Sequence, residues 1–224
     1  MKKLLLILLT LPSFGALDFN GTTQLGKSIG VVPITAYPFT MAVKFVTDDA
    51  TTSSSMLFMD QDGRRCGLYQ GAGTCGFFEA SGFVITAGAG VISTGSTIYS
   101  LVAVAHAANN HTVHLSGVAS TSEGATFTQN PPYTNVWVGA RQNTTIGSYF
   151  NGRLSEATIW PVALNTNQIN AYHAGLNPLL ISSTAPTFYA PLGGAFSPEI
   201  NFAGTALTLS NSPAIAAHPK VYNP

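Results

Sequence analysis

Strand-length runs dominate this chain and leave almost no room for helical periodicity. Segments such as FTMAVKFV (39–46), SSMLFMD (54–60), YSLVAVAHA (99–107), HTVHLSG (111–117) and NVWVGAR (135–141) alternate or run apolar, and clusters of Gly, Asn, Ser and Pro separate them. A chain cut into many short β-forming pieces at fairly even spacing buries its apolar residues by stacking sheets. The pattern predicts an all-β fold, an antiparallel two-sheet sandwich or jelly roll. Its 224 residues suffice for one large β domain with a small appendage and are cramped for two.

One short helix stands out. Asn165 is placed to cap TNQINAYHA, Gln168 sits three residues on to complete a capping box, and Gly175 is placed to end it. Ile169 and Tyr172 then face the sandwich. After Pro178 the chain turns rich in Pro, Gly and small residues, which reads as a C-terminal extension (177–224) packed on the domain.

The N-terminus has a different pattern. Two lysines, a run of Leu and Ile, then Pro and small residues match the regions of a secretory signal, and the run is too short to span a bilayer. Residues 1–15 are therefore expected to be a leader, with the first strand starting at Ala16, where Leu17 and Phe19 begin to alternate with Asp18 and Asn20. A retained hydrophobic strand or anchor is the other reading. Export implies an extracellular or particle-surface location and no membrane attachment once the leader is removed.

Charge excludes some partners. Nine Lys+Arg balance nine Asp+Glu, and no basic run follows Lys3, so neither nucleic acid nor an anionic lipid surface has an electrostatic footprint to bind. Cys66 and Cys75 flank GLYQGAGT, a strand, a Gly-rich turn and a strand. In an exported protein they form either a disulfide closing this hairpin or two unbridged thiols.

Four stretches carry a resemblance. ALDFNGTTQL, then PFTMAVKFV, then YSLVAVAHAANNHTVHLSGVAST, then VWVGARQNTTIGSYFNGRLSEATIWPVALNTNQINAYHAG resemble, in order and spacing, the laminin-G-like, concanavalin A-like jelly-roll family over residues 16–176. Tyr99 stands where that family usually has Trp, Ser116-Gly117 where it has Asn-Gly, and Ser155-Glu156 where it has Asp-Glu. The tail FYAPLGGAFSPEINFAGTALTLSNSPAIAAHPKVYNP is similar to endings of laminin-G-like proteins predicted from tailed bacteriophages and marine metagenomes.

Catalytic patterns are missing. Glucan hydrolysis on this fold needs an acid and a nucleophile about 5 Å apart on one strand face, but Glu79, Glu123, Glu156 and Glu199 are scattered. No G-x-S-x-G elbow activates a serine. His111 and His114 are odd-spaced on one strand and point to opposite faces. Asp60 and Asp62 in DQDG offer either two oxygens to a structural calcium or the polar residues of a turn. The resemblance implies calcium beside the aspartate of the Asp-Glu pair, where Ser155 removes the charge; backbone oxygens near Asp18 and Asn20 remain. No cofactor is required.

Trp137 carries the binding expectation. With Val136, Val138 and Ala140 pointing inward, alternation sends Trp137, Gly139 and Arg141 to the opposite face. There an indole offers a platform for a sugar ring, and the guanidinium, with Tyr149 close by, offers hydrogen bonds. The other reading has the C-terminal extension covering Trp137. The sequence thus predicts a non-catalytic module recognising glycan on a surface. The tail motivates the alternative of a structural virion or surface-layer component with protein partners or copies of itself.

Overall fold

The computed structural model describes residues 15–30, 33–79, 83–87, 92–116, 121–123, 130–142, 145–193 and 202–216, with the backbone alone at 79, 83–87 and 121–123. All but the last residue of the expected leader, and residues 194–201 and 217–224 of the tail, lie outside the described residues.

The first strands are β1 (Ala16–Asn20), β2 (Leu25–Ser28), β3 (Phe39–Thr47), β4 (Ser54–Gln61), β5 (Arg64–Gly71) and β6 (Thr74–Glu79). They continue with β7 (Phe83–Ala87), β8 (Tyr99–Ala107), β9 (Asn110–Leu115), β10 (Thr121–Glu123), β11 (Asn135–Val138), β12 (Arg141–Gln142), β13 (Ile146–Gly147) and β14 (Asn151–Trp160). Helix α1 (Thr166–His173) and a 3-10 turn at Pro178–Leu180 precede β15 (Phe188–Ala190), β16 (Thr208–Ser210) and β17 (Ala214–Ala216).

Two antiparallel sheets stack into the expected jelly roll. One runs β10-β9-β8-β3-β14-β1-β17, with β15 also paired to β14; the other runs β16-β2-β11-β4-β5-β6-β7. Between them lie Leu17, Phe19, Met41, Phe45, Val136 and Val138 with their neighbours. The first strand starts at Ala16 and buries Leu17 and Phe19, as its alternation requires.

The apolar run of β3 has a physical cause. Met41, Val43 and Phe45 enter the inter-sheet core, while Ala42 faces the opposite way into a second cluster with Val102, Trp160, Ile169 and Tyr172. Both faces of this strand are covered, so strict alternation is lost. The cover includes α1. Asn165 accepts from the Gln168 N–H at 3.0 Å and Gln168 Oε1 accepts from the Asn165 N–H at 2.9 Å, a complete capping box. At the other end the Leu176 and Gly175 N–H groups donate to Ala171 and Tyr172, a Schellman ending with Gly175 at φ 95°.

The tail supplies strands to both sheets. β17 pairs with β1 and β16 pairs with β2. Gln24 Nε2 donates to the carbonyls of Asn211 and Ser212, and Asn211 Nδ2 returns a bond to Thr23. One edge of the sandwich is thereby covered in both layers, removing ladders that would otherwise pair with other chains.

The disulfide expectation is corrected: no bridge joins Cys66 and Cys75. Register explains it. Cys75 lies opposite Gln70, and Cys66 lies opposite Glu79. Four residues of strand separate the two cysteines by about 13 Å along the ladder, well beyond the roughly 7 Å Cα limit for bridging. Both side chains are buried in the core, and burial pushes the Cys75 thiol up to about 12.

Candidate ligand-binding site

The outward face of the seven-stranded sheet is built from rings lying against glycines. Register places Trp137 opposite Phe58, Phe58 opposite Gly67, and Gly67 opposite Phe78, with Tyr69 opposite Gly76 one rung away. At Gly67 a Cβ would come within 2.7 Å of Phe58 Cδ2, so only glycine lets that ring settle on the sheet. Phe58 and Phe78 stack with centroids 6.3 Å apart, and Tyr69 meets Phe78 edge-on at 6.5 Å. The diagonal spacing of cross-strand neighbours allows this contact.

Two walls rise from that floor. The first is an excursion from the sheet that starts at Gly139, where φ is 76° and a Cβ would lie 2.6 Å from the Phe19 ring. The Phe150 N–H donates to the Gly139 carbonyl at 2.8 Å, so the two ends of the excursion are tied together before the chain crosses to β14 in the other sheet. In between, β12 and β13 pair Arg141 with Gly147. This small hairpin carries Arg141 over the floor, with its guanidinium carbon 5.6 Å from the Phe78 centroid.

The second wall is Ser53–Ser55. Asp49 organises the turn before it, because hydrogen bonds from Thr52 and Thr51 hold its carboxyl far below the usual range. Gln70 Nε2 donates to the Ser54 hydroxyl and to the carbonyls of Asp49 and Thr52. The Ser55 N–H donates to the Ser148 carbonyl at 2.9 Å and ties the two walls together.

Tyr69, Phe78, Ser53–Ser55, Arg141 and Ser148 line a half-open cavity of about 190 Å³. Pockets for drug-sized ligands run roughly 300–1,000 Å³, so this one accepts a single ring with its substituents. Burial, then the neighbouring Cys75, pushes the Tyr69 phenol up to about 12, which keeps its hydroxyl protonated at neutral pH. The cleft therefore presents ring faces, hydroxyls and one cation, and none of its lining residues carries a carboxylate.

The expected site residues separate. Arg141 lines the cleft, and Tyr149 packs against the cluster of Leu25, Phe58, Trp137 and Ala140 without lining the cleft. Trp137 is corrected as an open platform: it lies on the predicted face but is only 6% exposed, packed with Leu25, Phe58 and Ala140. Its Nε1 donates to Asp60 Oδ1 at 3.2 Å. Tyr69, Phe78, Ser55 and Ser148 escaped the sequence reading. A signal existed in GLY (67–69) and GFF (76–78), where a glycine two residues before a ring recurs on adjacent strands.

Asp60 and Asp62 lie at the end of β4 and in the turn that follows it. Asp62 and Gly63, with φ of 49° and 84°, form the two-residue turn joining β4 to β5, and Asp60 accepts the Trp137 indole. Among the described residues no three acidic, His or Cys side chains gather as a metal group. Asn20 Oδ1 accepts the N–H groups of Thr22 and Thr23 and is committed to the turn after β1.

Comparison with known proteins adds to this geometry. A family model described as the concanavalin A-like lectin/glucanases superfamily matches residues 20–170. The chain belongs to that superfamily. No curated protein matches the sequence. Among solved folds of the same kind is a heptameric SAP-like pentraxin from Limulus polyphemus. It has a TM-score of 0.62 and 12% identity, covering 92% of this chain and 97% of that one. A putative carbohydrate binding protein from Bacteroides ovatus gives 0.61 and 16%, covering 92% and 62%. The CBM40 module of the Ruminococcus gnavus IT-sialidase, bound to α2,3-sialyllactose, gives 0.52 and 14%, covering 71% and 96%. At such identities the likeness establishes the superfamily fold. The chain contains no described helix long and apolar enough to cross a membrane.

Proposed function

We propose that this protein is a non-catalytic glycan-binding module, exported and acting at a surface, that seats one sugar ring against Tyr69 and Phe78, beside Arg141. The observation that carries the reading is the cleft itself: an aromatic floor, serine walls and a guanidinium around a cavity of one-ring size. A sugar presents an apolar C–H face and a rim of hydroxyls, and the cleft offers a partner for each. The absence of a carboxylate among its lining residues supports binding without hydrolysis, which needs two of them. The fold shared with the R. gnavus module bound to sialyllactose and with the B. ovatus protein supports the ligand class.

A glycan array on the full-length protein, followed by titration of the best ligand, tests this. Tyr69→Ala should weaken binding by at least about tenfold, roughly 1.4 kcal/mol, while Tyr69→Phe keeps the ring and most of the affinity. Binding indifferent to Tyr69→Ala, or release of reducing ends from a bound glycan, would refute it.

A further inference from the structure

Resting on that reading, we infer that the cleft selects an acidic sugar, one whose ring carries a carboxylate or sulfate, and that Arg141 is the residue that determines this preference. The first ground is how the guanidinium is held. It lies over the Phe78 ring, half-buried, on a two-stranded segment whose ends are tied by the Gly139–Phe150 hydrogen bond. A planar fork fixed against a ring face is aimed, not trailing in solvent, and it matches the two oxygens of an anionic group.

The second ground is what surrounds it. Among the described residues no carboxylate pairs with Arg141, and the other lining residues are serines, Tyr69 and Phe78. Seven of the nine Lys and Arg in the chain are Lys2, Lys3, Lys27, Lys44, Arg64, Arg65 and Arg153, none of which lines the cleft. Among the described residues, Arg141 is the one charged side chain that lines the cleft. A neutral sugar would leave that fork facing hydroxyls that match neither its charge nor its parallel donors, whereas an anionic substituent accepts two parallel bonds and neutralises the charge.

The third ground is size. A cavity of about 190 Å³ holds the ring and its charged substituent together but no second ring. The recognised unit is therefore an acidic terminal or branch sugar, with the remainder of the glycan outside.

The test is calorimetric titration of the full-length protein with three matched pairs. These are α2,3-sialyllactose and its methyl ester, glucuronic acid and its methyl ester, and galactose 6-sulfate and galactose. The expected result is a preference of at least tenfold for the acid member of one or more pairs. That preference should shrink between 0.05 and 0.5 M NaCl and disappear in Arg141→Gln, with Arg141→Lys intermediate because charge survives without the fork. A carboxylate-only or sulfate-only response identifies the substituent, and either supports the inference. Equal affinity for acid and neutral members, with dependence on Tyr69 intact, overturns the inference and leaves the glycan reading standing. A preference unchanged in a folded Arg141→Gln protein also overturns it. No saccharide binding in any form defeats both.

Discussion

Replacing Gly67 by alanine tests whether space on the outer face, and not backbone freedom, dictates that glycine. A Cβ there would lie 2.7 Å from Phe58 Cδ2, 2.8 Å from the Leu57 carbonyl oxygen and 3.1 Å from Phe58 Cα. Two of these three contacts are backbone atoms of the adjacent strand, so rotating the Phe58 ring does not relieve them. Overpacking of this kind costs about 1–3 kcal/mol, set against a gain of about 0.4–1 kcal/mol from stiffening the unfolded chain. The net expectation is a loss of about 1–2 kcal/mol, or roughly 2–8 °C in Tm for a chain of this size. Gly147 provides the internal control, because nothing lies within 4 Å of its Cβ position and its φ is not left-handed. Gly147→Ala carries the same unfolded-state gain without the clash and should be neutral or slightly stabilising. Urea unfolding of both variants beside the wild type reads the difference. Equal stability of Gly67→Ala and wild type, or equal losses in the two variants, would show that contact with the β4 strand is not what forbids a side chain.

Two further outcomes follow from groups buried away from the cleft. Burial first, then the charge of His106, lowers His111 to about 4, and burial with His114 and Lys44 lowers His173 to about 4. A base depressed in the folded state takes up protons first in the unfolded state. Stability is therefore full above pH 6.5 and declines as pH falls from 6.5 towards 4, by on the order of 1–3 kcal/mol. Chemical denaturation across that window should show the decline, shallower in His111→Leu; a flat profile would contradict it. For the cysteines, alkylation of the unfolded, never-reduced protein should add two groups, one at each of its two Cys residues. A reductant should leave Tm unchanged, and a drop on reduction would restore the bridge that the register forbids.

Much of the fold was readable because its signals are local. The capping box at Asn165 and Gln168, the Gly175 ending and the alternation of Leu17 and Phe19 each depend on a few adjacent residues, and each appears as expected. Two errors share a different origin. Alternation correctly placed Trp137 on the outward face, but exposure depends on what other strands bring to that face, here Leu25 from β2 and Phe58 from β4. The Cys66–Cys75 hairpin was likewise real, yet its turn sets a register that leaves the cysteines four residues apart on the ladder. The cleft was half legible. Alternation along one strand names Arg141, but β11 ends at Val138, Ala140 packs on the outer face instead of inward, and Arg141 reaches the cleft on β12. Tyr69 and Phe78 become neighbours only through the β5–β6 register.

Low charge shapes how such a cleft would act. With nine basic and nine acidic residues in 224, the surface has no large field to draw a charged ligand from a distance. Screening at physiological salt confines each fixed charge to about 8 Å, so Arg141 acts on what already touches the cleft. Selection then depends on contact geometry: the guanidinium held over Phe78 and the serine walls joined by the Ser55–Ser148 bond. Encounter rates should be ordinary and similar for acidic and neutral sugars. Any preference would appear in how slowly the acid leaves, because the charge-assisted bonds form only after the ring has settled on Tyr69 and Phe78.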